Sequence, residues 1–216
     1  MGGRLSDLCH LREGRLWPSA DWATWTEVRK DLSHLPKILE NCEQHRTAIQ
    51  AGGNCGLVPA AIAPHFDTVY TFEPDPLAFH CLVANADSPN VIFHQAALGE
   101  SQGFVAMETT DPTNIGGTRV AINPVPALRR IPRYALDDLG IDDVDLIWLD
   151  VEGFELDVLR GAAMTIDIWR PTIVVELRGH GRRYGHDDQA VREWLHGREY
   201  APVGKAGCDE IWSPNL

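Results

Sequence analysis

The sequence predicts an α/β domain on a doubly wound, mostly parallel sheet with an antiparallel C-terminal strand, and three observations predict it. From Thr47 onward, short apolar runs alternate with stretches of helical period, the pattern of a parallel sheet covered by helices on both faces. The first apolar run passes directly into a glycine-rich turn, "AIQAGGNCGL" at 48–57. The second ends on an acidic residue, Glu73 in "TFEPDP". The 216 residues suffice for one such domain with a real core and a small appendage.

The appendage comes first. Residues 1–45 read as a helical N-terminal extension of two or three short helices. "PSADWATWTEVRKDL" offers Ser19 as a cap and spaces Trp22, Trp25 and Val28/Arg29 helically, and "SHLPKILENCEQH" is a second helical piece. Trp17, Trp22 and Trp25 either pack this extension on the main domain or form a lid over a substrate pocket. The main domain takes 46–216. Strands are expected at 47–51, 68–72, 91–95, 144–149 and 172–177, and helices near 56–64, 76–86, 154–161 and 186–196. "EYAPVGKAGCDEIWSP" reads as two strands joined by a glycine-containing turn. Residues 99–135 carry much Gly, Pro, Thr and Asn with no helical period, and form an irregular, hairpin-bearing insertion.

Bulk composition narrows the function. Nineteen Lys and Arg face 31 Asp and Glu, a net charge of −12, which is a poor surface for steering toward nucleic acid or anionic lipid. "ALRRIPRY" at 127–134 is a local basic exception. The 5 cysteines are scattered and form no CxxC pair, so neither a disulfide framework nor a zinc site is expected. No stretch approaches the roughly 20 apolar residues of a membrane helix, and the N-terminal run has no signal-peptide core. The expected setting is cytoplasmic.

In doubly wound sheets the ligand sits beyond the carboxyl ends of the strands. Gly52, Gly53 and Gly56, with Asn54 among them, turn the chain from strand into helix and let a ligand approach the backbone closely. Glu73 projects at the same edge, where a carboxylate accepts both hydrogen bonds of a ribose diol; Pro74 and Pro76 stiffen the exit. Loop, strand and acidic tip together point to a nucleoside-bearing cofactor. The spacing G-G-N-C-G departs from the dinucleotide fingerprint G-x-G-x-x-G. S-adenosylmethionine has a ribose and no phosphate, and so suits a loop without that anion site. A nicotinamide-dependent oxidoreductase is the alternative, disfavoured by the spacing and by the lack of a Tyr-x-x-x-Lys pair. A non-catalytic binding module with this fold is the third reading.

"AIQAGGNCG", "VYTFEPDPLAFHCLVAN", "NIGG", "YALDDL", "DLIWLDVEGFELDVLRGA" and "PTIVVEL" together resemble the successive motifs of the FkbM-type methyltransferases over roughly residues 47–213. The resemblance implies a seven-stranded, Rossmann-like class I methyltransferase sheet, dependence on S-adenosylmethionine, and methyl transfer usually to a hydroxyl oxygen. The acceptor is then expected to be a small molecule or saccharide. The resemblance also suggests that Ala96 and Ala97 leave room for the adenine ring, and that Asn114, Gly116 and Gly117 lie near the active site. Where the family usually has an Asp, two positions before the first glycine, this chain has Gln50. Its amide oxygen still accepts a hydrogen bond toward the cofactor's ammonium group, without the charge. Gln50 is the one feature that favours the non-catalytic reading.

"LDVEGFE" supplies the candidate chemistry. Methyl transfer is an in-line displacement in which positioning contributes much. An aliphatic hydroxyl acceptor also needs a base, or a metal that lowers its pKa. Asp150 ends the fourth strand on the cofactor edge, Glu152 follows in the loop, and Glu176 ends the fifth strand beside Asp150. Asp150 and Glu176 either bind Mg²⁺ through their oxygens or include the base, with His180 as a further candidate for that role. Glu155, in the first turn of the next helix, either caps that helix or takes part. Nothing in the sequence fixes the oligomeric state.

Overall fold

The computed structural model describes residues 5–111, 113–122 and 129–215. The first four residues of the expected extension, positions 112 and 123–128 of the expected insertion, and the first two of the basic run 127–134 lie outside the described residues.

The described chain runs from a short 3-10 turn (Leu5–Leu8) into a hairpin, β1 (Cys9–Arg12) and β2 (Arg15–Pro18), followed by helices α1 (Thr24–Leu32) and α2 (Leu35–Leu39). The alternating region then runs β3 (Thr47–Ala51), α3 (Leu57–Ile62), β4 (Thr68–Phe72), α4 (Pro76–Asn85) and β5 (Val91–His94). Short strands fill the next stretch: β6 (Ala97–Leu98), β7 (Gly103–Val105), β8 (Met107–Glu108), β9 (Arg119–Val120) and β10 (Ile131–Tyr134). The chain closes with β11 (Val144–Leu149), α5 (Glu155–Arg160), α6 (Ala163–Trp169), β12 (Thr172–Glu176), α7 (Asp188–His196), β13 (Tyr200–Ala206) and β14 (Asp209–Pro214).

Among the described residues the main sheet has seven strands, ordered β13-β14-β12-β11-β3-β4-β5. All its pairings are parallel except those of β14, which runs antiparallel to both β12 and β13. The strand period of two sorts side chains to opposite faces. Ile49, Ile147, Leu149, Ile173 and Val175 pack on one face with Leu156, Leu159, Ile166 and Leu195 of α5, α6 and α7. Their alternates Ala48, Leu146, Trp148 and Val174 pack on the other with Ile38 of α2 and Ile62 of α3. Both faces are covered, so the central strands are mostly apolar, with polar residues such as Gln50, Thr71 and Asp145 bound inside the protein. Each fully buried Ile or Leu here contributes roughly 1.5–3 kcal/mol.

The five expected strands are all present, within one residue at their ends. Two regions differ from expectation. After a single 3-10 turn at Leu5–Leu8, the extension forms a hairpin where helix was expected, turned by Glu13 (φ +48°) and Gly14 (φ +80°). A glutamate in the left-handed region is uncommon, and it hid a turn that Asn-Gly or Asp-Gly would have announced. α1 starts at Thr24, well past Ser19; the Thr24 N–H and hydroxyl both approach Asp21 Oδ1, at 3.4 and 2.8 Å. The second difference is α6, which the sequence does not announce. Its Thr, Ile and Trp residues are modest helix formers. Asp137, distant in sequence, accepts hydrogen bonds from Met164 N and Thr165 N in its first turn.

The expected insertion carries strand pairing: β10 lies between β6 and β7, and β8 pairs with β9. Trp17 and Trp25 are buried edge to face, 4.8 Å apart, in a cluster with Leu57, Ala78 and Ile115, while Trp22 is 67 % exposed. Among the described residues no helix is long and apolar enough to cross a membrane.

Candidate active site

A cleft of about 1000 Å³, counting the space open to solvent, lies beyond the carboxyl ends of the central strands. Its first wall grows out of β3 and β4. Gly52 N and Gly53 N both donate to Phe72 O at 3.0 Å, which folds the turn back over the end of β4. Gly52 has φ +87°, and a Cβ there would stand 1.7 Å from the Asp150 carbonyl oxygen. Its bareness therefore lets the end of β11 close on the turn, and the Asp150 N–H donates to Ala51 O at 3.0 Å. A Cβ on Gly53 would meet Leu82 Cδ1 at 2.2 Å, and one on Gly56 would meet the Leu82 backbone at 2.9 Å. These two glycines seat the turn on α4, and they do not line the cleft.

Glu73 is buried at 7 % exposure and lines the cleft. Its Oε2 accepts from Asn54 N and its Oε1 from Asp75 N, each at 2.7 Å. Each carboxylate oxygen retains capacity for a second donor, so both remain able to receive a ribose hydroxyl. Burial pushes the Glu73 carboxyl up to about 8, against the pull of those backbone donors. Asn54, Pro74, Ala96 and Ala97 line the same side, together with Phe72 and Leu98. Gln50 does not line it. Its Nε2 donates to Gly52 O at 2.9 Å and its Oε1 accepts from Thr71 Oγ1 at 2.7 Å, so both ends of the amide bind inside the protein.

The acidic edge follows. Asp150, Glu152 and Glu176 all line the cleft, so the strand-end carboxylates converge. The turn between them is tight: Glu152 has φ +57° and Gly153 φ +100°, and a Cβ at Gly153 would meet the His180 carbonyl carbon at 2.5 Å. Glu155 braces this turn, its Oε1 accepting from Val151 N at 3.2 Å and Gly153 N at 3.0 Å. Its first-turn position thus serves the loop. Burial, then the charge of Asp150, pushes Glu152 up to about 7. Burial and Asp150 also raise Glu176, while Arg178 Nε at 2.9 Å from its Oε1 pulls it down.

His180 does not line the cleft, but it stands behind the edge. Its Nδ1 is 3.0 Å from Glu152 Oε2 and 4.0 Å from Glu176 Oε2. Burial, then Arg183 and Arg178, lowers its pKa, so at neutral pH the ring is uncharged.

The opposite wall combines α1 with the inserted region. Thr24, Glu27 and Val28 of α1 line the cleft, as do Asn114, Ile115 and Gly116; Gly117 does not. Asp21, 3 % exposed, joins the two segments by accepting from Trp17 Nε1 at 2.6 Å, Thr24 Oγ1 at 2.8 Å and Ile115 N at 3.0 Å. The Thr24 hydroxyl in turn accepts from Gly116 N at 2.9 Å. Arg119 and Arg178 also line the cleft, and sequence reasoning missed both, together with Asp21, Thr24 and Glu27. Arg178 was in view two residues beyond Glu176; the others carried no local signal.

Residues 65–202 match the model of the methyltransferase FkbM domain. Over 138 residues the chain is 28 % identical to the hexuronic acid methyltransferase AglP of Haloferax volcanii, spanning 62 % of this chain and 57 % of that relative. A crystal structure of a methyltransferase FkbM from Methylobacillus flagellatus superposes with a TM-score of 0.56 at 17 % identity, over 79 % of this chain and 43 % of that one. A ribosomal protein L11 methylase from Lactobacillus delbrueckii superposes with a TM-score of 0.53 at 9 % identity, over 97 % and 83 %. The chain thus spans only about half of the first two relatives, and it shares the class I methyltransferase sheet with both solved structures. On the match over more than half its length, the chain belongs to the methyltransferase FkbM domain family.

Proposed function

We propose that this protein transfers a methyl group from S-adenosylmethionine to a hydroxyl oxygen of a saccharide or similar small molecule. One observation carries the reading: a single cleft has Glu73 and the Gly52 turn on one side and three carboxylates on the other. The sugar-directed name of the Haloferax relative supports a saccharide acceptor.

The residues fit the cofactor. The Gly52 turn offers bare backbone, Glu73 offers two oxygens for the ribose, and Ala96 and Ala97 beside Phe72 and Leu98 form an apolar slot for a flat ring. When bound, S-adenosylmethionine supplies a methyl group already activated by its sulfonium. The chain's own residues then hold the acceptor hydroxyl in line and take its proton. In this reading Asp150 at the end of β11 receives that proton. Thr24, Glu27 and Asn114 on the opposite wall offer hydrogen bonds to acceptor hydroxyls. Asp150 and Glu176 also offer oxygen donors of the kind Mg²⁺ prefers. Gln50 leaves its place in the reading to Glu73, because its amide holds the turn and does not face the cleft.

The test is calorimetry with S-adenosylhomocysteine and NAD, followed by turnover assays on a panel of sugars and alcohols. Binding of S-adenosylhomocysteine without NAD, and methylation of a sugar that Asp150→Asn slows at least about a hundredfold, are the expected results. Chelation followed by Mg²⁺ addition tests the cation. Binding without turnover on any acceptor would make the protein a non-catalytic module.

A further inference from the structure

We infer that Glu152, Glu176 and His180 form a binding site for a first-row divalent cation of intermediate softness, such as Mn²⁺, Co²⁺ or Zn²⁺. The inference rests on the methyl-transfer reading for its purpose, though not for its geometry. One atom from each of the three side chains, two carboxylate oxygens and an imidazole nitrogen, lies within 4.8 Å of the others. Glu152 Oε2 and His180 Nδ1 are 3.0 Å apart, and His180 Nδ1 and Glu176 Oε2 are 4.0 Å apart. Two ligands each roughly 2.1 Å from one ion stand roughly 3.0 Å apart at a right angle and roughly 3.4 Å at the tetrahedral angle. The first pair already has that spacing, the second must close by about half an ångström, and the two carboxylates, within the 4.8 Å span of the cluster, must draw together around the ion.

The histidine nitrogen of the same cluster adds a second sign. His180 Nδ1 is an enclosed atom with no hydrogen-bond partner among the described residues, because its 3.0 Å approach to Glu152 lacks hydrogen-bonding geometry. An enclosed nitrogen without a proton partner, facing two carboxylate oxygens, is what a ligand set looks like. Glu176 is already oriented as a ligand, because Arg178 holds Oε1 at 2.9 Å and leaves Oε2 toward His180. An outer partner of this kind fixes a ligand's direction.

The donor set chooses the cation. Oxygens alone would suit Mg²⁺, but an imidazole nitrogen moves the preference toward Mn²⁺, Co²⁺ or Zn²⁺. Three protein ligands leave coordination positions open. Glu152 and Glu176 line the cleft, so those positions face the acceptor side, where a hydroxyl or water would gain acidity by coordination.

The test uses tag-free protein, stripped with a chelator and dialysed. Co²⁺ is titrated with visible absorption and calorimetry as readouts, with Mn²⁺, Zn²⁺ and Mg²⁺ in parallel. The expected result is one equivalent of Co²⁺ with a d–d spectrum, and Mg²⁺ weaker by at least about tenfold. His180→Ala and Glu152→Gln should each weaken Co²⁺ by at least about tenfold, with S-adenosylhomocysteine affinity kept as the check of folding. Absence of saturable binding, undiminished binding in both variants, or Mg²⁺ binding as tightly as Co²⁺ would each overturn the inference. Failure of the methyl-transfer reading would show separately, as wild-type protein that binds Co²⁺ but no S-adenosylhomocysteine.

Discussion

The wall that carries Glu73 is made of strand ends and the turns that leave them, whereas the wall that carries Thr24 is made of two segments far apart in the chain. On the first wall the geometry is held by backbone: Gly52 against the Asp150 carbonyl, and Gly52 N and Gly53 N on Phe72 O. On the second it is held by side chains converging on the buried Asp21 carboxylate. A wall held by backbone fails all at once when crowded. A wall held by side chains can be loosened one contact at a time.

The largest expected effect separates the walls directly. Gly52→Ala places a methyl 1.7 Å from a backbone oxygen at a φ of +87°, so neither side can yield. Denaturant unfolding should show a loss above about 4 kcal/mol, or no folded protein. In the second wall, Gly116→Ala meets side chains only, Thr24 Cγ2 at 2.9 Å, Thr24 Oγ1 at 3.1 Å and Asn114 Oδ1 at 3.3 Å. It should cost about 1–3 kcal/mol. Equal losses in the two variants would erase the contrast.

Asp21→Ala comes next. It leaves Trp17 Nε1 and Ile115 N without their acceptor in a buried site, a loss of roughly 3 kcal/mol by chemical denaturation. KM for the acceptor should rise while affinity for S-adenosylhomocysteine stays within about twofold. An equal drop in cofactor affinity would show that the walls are not independent.

Glu73→Gln acts on the other side. Replacing one carboxyl oxygen by an amide nitrogen, which cannot accept a hydrogen bond, should weaken S-adenosylhomocysteine by roughly 10–100-fold in calorimetry, with a loss of stability smaller than that of Asp21→Ala. Unchanged affinity would remove Glu73 from the cofactor site.

The same contrast governs what was legible in the sequence. The first wall was readable because strand, glycine turn and Glu73 follow one another in order, and a parallel sheet brings successive strand ends to one edge. Asp150, Glu152 and Glu176 were readable for the same reason. The function of the glycines was only half legible: Gly53 and Gly56 make room for Leu82, a contact that spacing cannot reveal. Gln50 looked like a cofactor ligand because it sits where the family has an acid, yet its amide turns inward to Thr71 and Gly52. On the second wall the resemblance pointed to Asn114 and Gly116, which line the cleft, while Asp21, Thr24 and Glu27 lay unmarked in a tryptophan-rich extension. The link between Asp21 and Ile115 joins residues 94 positions apart and leaves no periodic trace.

Titration gives a smaller, graded effect. Burial raises Glu73 to about 8 and Glu152 and Glu155 to about 7, all above the usual 4.5. A carboxyl raised by folding contributes stability that is full below its unfolded pKa and is lost as pH rises through the folded value. The melting temperature of the free protein should therefore fall by several degrees between about pH 6.5 and 8.5. The lowered His180 and His94 work in the opposite sense, but only below their ordinary 6.5. On the proposed reading the sulfonium of S-adenosylmethionine adds positive charge near Asp150, so S-adenosylmethionine should flatten that slope more than S-adenosylhomocysteine does. A flat slope in the free protein would mean that these carboxyls are solvated.

The smallest expected effect concerns the tryptophans of the second wall. Trp17 is fully buried and donates to Asp21, whereas Trp22 is 67 % exposed and holds the chain mainly through its backbone N–H to Thr113 O at 3.2 Å. Trp22→Ala keeps that backbone bond and uncovers little, so unfolding free energy should change by no more than about 0.5 kcal/mol. Acceptor KM then becomes the informative readout. If it rises several-fold at unchanged stability, the exposed indole touches the acceptor and the second wall extends to the rim of the cleft. If it stays level, the acceptor surface ends at Thr24 and Glu27, and the tryptophans of the extension serve packing alone.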